Sequence, residues 1–368
     1  MAQRTPGIGL ALSGGGYRAT LYNLGSLWRL NDAGMLRGLT RITSVSGGSI
    51  ASGVLAAGWR RLDFDAAGRA RNFADAVAAP LQAFCRQGLD VSAGLEGLVS
   101  LMDDIPDRVA KRYREGLFGD ATLQDLPADG EGPRFVFYAT SLQTGSSVRL
   151  SRPYIADYRI GRIPNPRLPL AMAVAASSAF PPVLSPVVLK FDADAWEKLD
   201  GADLFPRRAL RERLVLTDGG VYDNMGLENV WDRFATVLVS DAGAPLAIEE
   251  DASGAWHKQT LRVLDIVGEQ SRALRKRELV ANLVKGEMQG AYWGITTAIA
   301  DYGVDGAMCR DTPVTEALRA IRTRLNPFSD EEQGRLINWG YALCDAALRR
   351  YLPGDHGRGA WPVPEQAL

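Results

Sequence analysis

The apolar run Ile8–Leu12 stops abruptly at Ser13-Gly14-Gly15-Gly16, and a helical repeat begins immediately afterwards. Three consecutive glycines between a β-prone run and a helix mark a tight strand–turn–helix unit, because few other settings need so much backbone freedom. From about Tyr17 the apolar residues Leu21, Leu24, Leu27, Trp28 and Leu30 recur at helical spacing. Gly34 stands where a C-terminal cap falls. A second unit follows at once: Arg41–Val45 is β-prone, Ser46-Gly47-Gly48 turns, and Ile50, Val54 and Leu55 share a helix face.

The same alternation recurs downstream. Arg134–Ala139, Ser147–Leu150, Leu214–Thr217 and Ala235–Val239 read as strands, and Leu168–Ala179 as a buried helix. The fold expected is an α/β, three-layer α/β/α sandwich with a largely parallel central sheet. Residues 1–305 form its main domain, with a mostly helical insertion or cap at about 61–132. Residues 306–368 form a C-terminal helical extension packed on the same domain. A long helix after Trp256 carries Leu261, Leu264, Val267 and Leu274 beside Arg272, Arg275, Lys276 and Arg277. Ser329-Asp330-Glu331-Glu332 is a capping box for the last helix, and the Gly- and Pro-rich tail from about 353 is expected to fray.

Composition narrows the function classes. The 42 basic and 43 acidic side chains nearly cancel, which excludes a generally basic nucleic-acid binder. Cys85, Cys309 and Cys344 are too few and scattered for a disulfide framework or a zinc site. Leu168–Leu189 is uncharged and long enough to span a bilayer, but it contains four prolines and Ser177-Ser178, so a buried helix and a loop are expected. No secretory leader is legible, and a cytoplasmic location is expected.

Three strand ends carry chemistry: 13–16, 44–48 and 218–220. In a parallel α/β sheet, ligands gather at the carboxyl ends of the strands. The N–H groups of Gly14, Gly15 and Gly16 at a helix start suit an oxyanion or a phosphate. No Gly-Lys-Ser/Thr follows, which disfavours a mononucleotide loop, whereas Gly14-x-Gly16-x-x-Ala19 leaves a dinucleotide loop open. A strand-to-helix elbow exposes a serine only when the residues two before and two after are small. Ser44 and Gly48 meet that condition for Ser46. Ile42 spoils it for Ser44, and Ser49 falls inside the helix. A triad needs a histidine, but His257 precedes a helix and His356 lies in the tail. Asp218, freed by Gly219 and Gly220 at the end of a strand, is the better base. An ordinary aspartate is a weak one, so its site should be desolvated.

Taken in order, Gly14-Gly15-Gly16-Tyr17-Arg18, Ser44-Val45-Ser46-Gly47-Gly48 and Asp218-Gly219-Gly220 resemble the motifs of the patatin-like phospholipase family. Ala175-Ala176-Ser177-Ser178-Ala179-Phe180-Pro181-Pro182 is similar to a fourth block of that family. Leu12-Ser13 and Tyr222-Asp223-Asn224 resemble its cytosolic phospholipase A2 branch. The resemblance covers roughly residues 7–245 and implies ester hydrolysis of phospholipids or lysophospholipids by a Ser46–Asp218 dyad. Gly15 and Gly16 would hold the oxyanion, with Gly14 shaping the loop. Gly47, Gly48, Gly219 and Gly220 would support the turns, and Arg18 would orient the loop or meet a lipid phosphate. Ser44 departs from the family's glycine, and its hydroxyl could compete for the hydrogen bond of Ser46. Neither a metal nor another cofactor is implied, Asp223 and Asp241 reading as turn residues. A phospholipid or other acyl ester is the partner expected, with peripheral contact at a membrane surface through the basic run at 272–277. The alternative is a catalytically weak lipid- or acyl-binding regulatory protein on the same fold.

Overall fold

The computed structural model describes residues 4–88, 105–323 and 325–368. β1 (Thr5–Leu12) leads into α1 (Gly16–Asp32), and β2 (Arg41–Val45) into α2 (Gly47–Gly58). The inserted stretch contributes α3 (Ala79–Arg86) and α4 (Ile105–Tyr113), its middle lying outside the described residues. Then come β3 (Arg134–Ser141), β4 (Ser147–Ser151), β5 (Tyr154–Asp157), β6 (Gly161–Pro164) and α5 (Leu170–Ser177). β7 (Val187–Lys190), the short α6 (Arg208–Glu212), β8 (Arg213–Asp218) and the single turn α7 (Gly220–Asp223) follow. The chain closes with β9 (Phe234–Asp241), α8 (Trp256–Val284), β10 (Gln289–Gly294), α9 (Pro313–Arg319) and α10 (Asp330–Tyr351).

One mixed sheet organises these elements in the order β10-β9-β1-β2-β3-β4-β5-β6, sandwiched between helices. The strands from β10 to β3 are parallel, and β4, β5 and β6 extend the sheet as an antiparallel meander. On one face α1, α2, α5 and α10 enclose the large core; on the other, Leu279 of α8 packs on Ala11, Val237 and Val239. The described parts of the inserted stretch pack into the domain. Their Leu81, Phe84, Tyr113 and Phe118 are buried in the main core, with the Phe84 ring 5.9 Å from Tyr17.

α10 crosses α1 at Gly340 and Gly25, where an added Cβ would lie 2.0 Å and 1.9 Å from the other helix's carbonyl oxygens. Only glycine permits that approach. The buried Arg29–Asp345 ion pair, at 2.8 Å, fastens the same two helices. Ser329 caps α10 together with Glu332, as its sequence predicts. The tail, expected to fray, is instead tied down: Asn338 donates to Val363 O and Gln366 O, and Arg29 donates to His356 O and Gly357 O. Side chains of buried helices supply the partners, which a reading of the tail's own composition misses. Among the described residues no helix is long and apolar enough to cross a membrane.

Candidate active site

The site forms where two strand ends meet head-on beside β3. Val45, the last residue of β2, pairs with Tyr138, and Asp218, the last residue of β8, pairs with Ala139, the next residue along β3. The far edge of β3 is taken by β4, so β2 and β8 occupy the same lane from opposite directions. The sequence reading put all three loops on the carboxyl edge of a parallel sheet. β8 is antiparallel to β3 instead, as partner of the β7 hairpin, and it brings Asp218 in from the other side.

Ser46 occupies the turn with φ 52° and ψ −121°, a conformation that a side-chain-bearing residue rarely adopts. Its neighbours make that bend feasible. A Cβ at Gly47 would sit 2.0 Å from Gly16 O, and one at Gly48 would sit 2.5 Å from Leu12 O. The elbow thus nests against the glycine loop, backbone on backbone, and leaves Ser46 only slightly exposed.

Ser177 at the end of α5 links the two halves. Its carbonyl accepts from the N–H groups of both Ser46 and Gly219 at 3.2 Å, and its hydroxyl also accepts from the Ser46 N–H. Ser49 stands 2.8 Å from the Ser177 hydroxyl and donates to Ser44, to which Ser52 also donates at 2.7 Å. The Ser44 hydroxyl therefore faces this buried serine cluster, and it does not compete for Ser46. Sequence reasoning quoted Ser177 within a motif but gave it no role, and it passed over Ser52. The only available signal was a crowd of small hydroxyls at helical spacing near the elbow.

Asp218 is buried. Its Oδ1 accepts from the Gly220 N–H at 2.7 Å, whereas its Oδ2 has no partner at hydrogen-bonding geometry. Burial pushes its carboxyl up to about 6, against the opposing pull of the Gly220 N–H and the nearby Ser46 hydroxyl. Serine and carboxylate are within reach of each other without a closed bond, as is common before substrate arrives.

Above them the glycine loop divides its labour. The Gly14 N–H donates to Asn224 O at 3.0 Å, while those of Gly15 and Gly16 have no partner among the described residues. Of the two roles expected of Arg18, its surroundings leave out the lipid phosphate. Fully buried, Arg18 donates to Ala242 O at 2.5 Å and Ile321 O at 3.1 Å. It clamps the loop to the end of β9 and to the C-terminal extension, and burial lowers its pKa to about 10.

The remaining acidic candidates serve the backbone. Asp223 accepts from the N–H groups of Met225, Leu227 and Glu228, and Asp241 accepts from the Gly243 N–H, Arg272 and the Tyr292 hydroxyl. Arg272 and Arg275, expected to meet lipid, are engaged with Asp241, Glu269, Glu228 and Asp223.

The model of the patatin-like phospholipase family matches residues 10–231, which span every part of this site. The chain belongs to the patatin-like phospholipase family. Among solved structures, human GIVD cytosolic phospholipase A2 is 14% identical with a TM-score of 0.50, covering 94% of this chain and 60% of that one. Its complex with methyl gamma-linolenyl fluorophosphonate gives the same identity and score, with 93% and 57% coverage. VipD from Legionella pneumophila is 16% identical with a TM-score of 0.39, covering 95% and 68%. The chain thus spans about three fifths of the human enzyme, and the likeness is one of fold. No curated protein matches it.

Proposed function

We propose that this family member is a serine lipid acyl hydrolase that cleaves carboxylic esters of phospholipids or lysophospholipids. The observation that carries the reading is the buried Asp218, with a free Oδ2 and a pKa near 6, beside a serine on a strained elbow. An aspartate so tuned is ionised at neutral pH, yet basic enough to take a proton from a hydroxyl in the transition state.

Ser46 Oγ attacks the ester carbonyl carbon as Asp218 takes its proton. The carbonyl oxygen becomes the oxyanion, and the unpartnered N–H groups of Gly15 and Gly16 are available to hold it. The C–O bond then breaks, the leaving alcohol receives the proton from Asp218, and an acyl-Ser46 ester remains. Water, giving its proton to Asp218, attacks that ester; the fatty acid leaves as the proton returns to Ser46. Gly14 shapes the loop through Asn224. Ser177, Gly47, Gly48, Gly219 and Gly220 hold the turns, and Arg18 braces the loop from behind. None of these steps calls on a metal.

Lipid mass spectrometry on mixed phospholipid vesicles with EDTA present tests the reading. Wild type should release free fatty acid and lysolipid, whereas Ser46→Ala and Asp218→Ala should each fall by about 10³-fold or more. Release that survives in Ser46→Ala would overturn the assignment. Folded wild type that binds lipid but hydrolyses neither vesicles nor short-chain esters would favour the regulatory alternative.

A further inference from the structure

Over residues 256–275, α8 turns its charged side to the protein. Arg262 donates to Ala247 O at 2.6 Å and pairs with Glu249 at 3.5 Å. Arg272 is held by Asp241 and Glu269, and Arg275 by Glu228. Up to Arg275, charged residues therefore make the contacts with the body, and only farther along does Leu279 pack beneath β9. Val263, Val267 and Leu274 stand in one row of the helix with Leu264 beside it, and these four are 55%, 60%, 59% and 59% exposed. A helix of a globular protein normally buries its apolar stripe and wets its charges. Here the amphipathicity is inverted.

The position of the exposed row matters as much as its character. β9 and β10 pair over the length of β10, a rise of about 20 Å, whereas a helix of 29 residues is about 43 Å long. Arg272 meets Asp241 at the carboxyl end of β9, and α8 runs from there back to the start of β10. Residues 256–271 make about 24 Å of helix and thus extend past the edge at which Ser46 lies.

We infer that this arm is a lipid-surface anchor, which lays its uncharged face in the interface of a bilayer or micelle and holds the catalytic edge against it. The inference rests on the proposed lipid ester hydrolysis. A second copy fits the arm less well. Thr260 and Gln270 interrupt the row at the spacing of a coiled-coil seam, while the flanking Leu264 and Ile266 are apolar where a seam carries charge. From Val263 to Leu274 the face is broad and exposed, as an interfacial helix requires. Its extent also falls short: about 24 Å by 10–12 Å covers roughly 250 Å², against about 800 Å² per partner in a stable interface. Arg262, Arg272 and Arg275 are already matched by carboxylates and Lys258 is offset within the arm by Asp265, so the attraction is apolar and should be indifferent to headgroup charge.

Flotation separates binding from catalysis. Ser46→Ala protein, unable to digest its target, should float with phosphatidylcholine vesicles, equally with and without phosphatidylglycerol, and in high salt. Adding Val263→Glu, Leu264→Glu and Val267→Glu should lower that partition by about tenfold or more, since apolar burial drives it. The thermal midpoint should stay in place. In the catalytically intact protein the same three changes should reduce vesicle hydrolysis and leave a monomeric short-chain ester unaffected. Equal flotation with and without the triple change would overturn the anchor. So would a concentration-dependent dimer that the triple change dissolves while vesicles bind neither form. Vesicle binding through the arm, with no ester hydrolysis by wild type, would uphold the anchor and sink the enzyme reading.

Discussion

Ser46 and Asp218 arrive at one seam from opposite directions and are prepared by different physics. Ser46, at the end of the parallel block, is positioned by backbone geometry: a positive φ, glycines packed against carbonyls, and two N–H···O contacts to Ser177. Asp218, at the end of an antiparallel strand, adopts ordinary strand backbone and is prepared by desolvation. Strain fixes where an atom sits and does not depend on pH. Burial fixes when a proton leaves and does. The proposed nucleophile needs the first, the proposed general base the second.

The comparison breaks most readily on the serine side. Gly47→Ala forces a Cβ to within 2.0 Å of Gly16 O, and backbone cannot rotate away. It should cost about 3–5 kcal/mol of stability, in the upper range for single substitutions, and abolish hydrolysis; thermal denaturation beside an ester assay reads both. A variant with the stability and activity of wild type would show that the elbow is not held by this contact.

The aspartate side should respond in the opposite sense. Its folded pKa, about 6, lies above the ordinary aspartate value, so ionisation opposes folding. That cost is absent below about pH 4, grows as pH rises through about 6, and is complete above it. Asp218→Asn should therefore stabilise the protein by about 3 kcal/mol at pH 8, with no difference near pH 4, while hydrolysis is lost. In wild type, kcat/KM should rise with pH through about 6 as the base form appears. Equal denaturation midpoints of the two proteins at pH 8 would remove desolvation as the tuning agent.

Ser177 gives the smallest effect and the sharpest test, because it serves both halves. Ser177→Ala keeps the carbonyl that both turns use and removes the hydroxyl contact to the Ser46 N–H and Ser49. About 1–2 kcal/mol of stability should be lost. As a positioning residue it should lower kcat more than it raises KM, and Ser177→Thr should restore part of the loss. A change in KM alone would mean that it acts on binding.

How far these features were legible depends on whether their cause is local. The turns at Gly14–Gly16 and Ser46–Gly48 are legible because steric limits on a bend act within five residues. The cap of α10 at Ser329 and Glu332 is legible for the same reason. The strand containing Asp218 was legible, but its direction was not, since nothing within Arg213–Asp218 says which neighbour it will pair with. Arg18 could as well meet a lipid phosphate as orient the loop until Ala242 and Ile321, more than two hundred residues away, close over it. Ser44 looks like a competitor until Ser49 and Ser52 occupy its hydroxyl.

The two long C-terminal helices mark the same boundary. Both are plain in the sequence as helices, by period and by capping. That α10 is swallowed by the core while α8 shows its apolar row to solvent depends on what each finds beside it: Gly25 and Tyr22 for one, and the carboxylates Asp241 and Glu228 for the other. The sequence by itself determined the order of turns, the elbow at Ser46 and the family, because these follow from short-range sterics. The convergence of Ser46 and Asp218, the raised pKa of Asp218 and the burial of Arg18 were decided by the tertiary structure. Pairing direction and dielectric are properties of neighbours that lie distant in the chain.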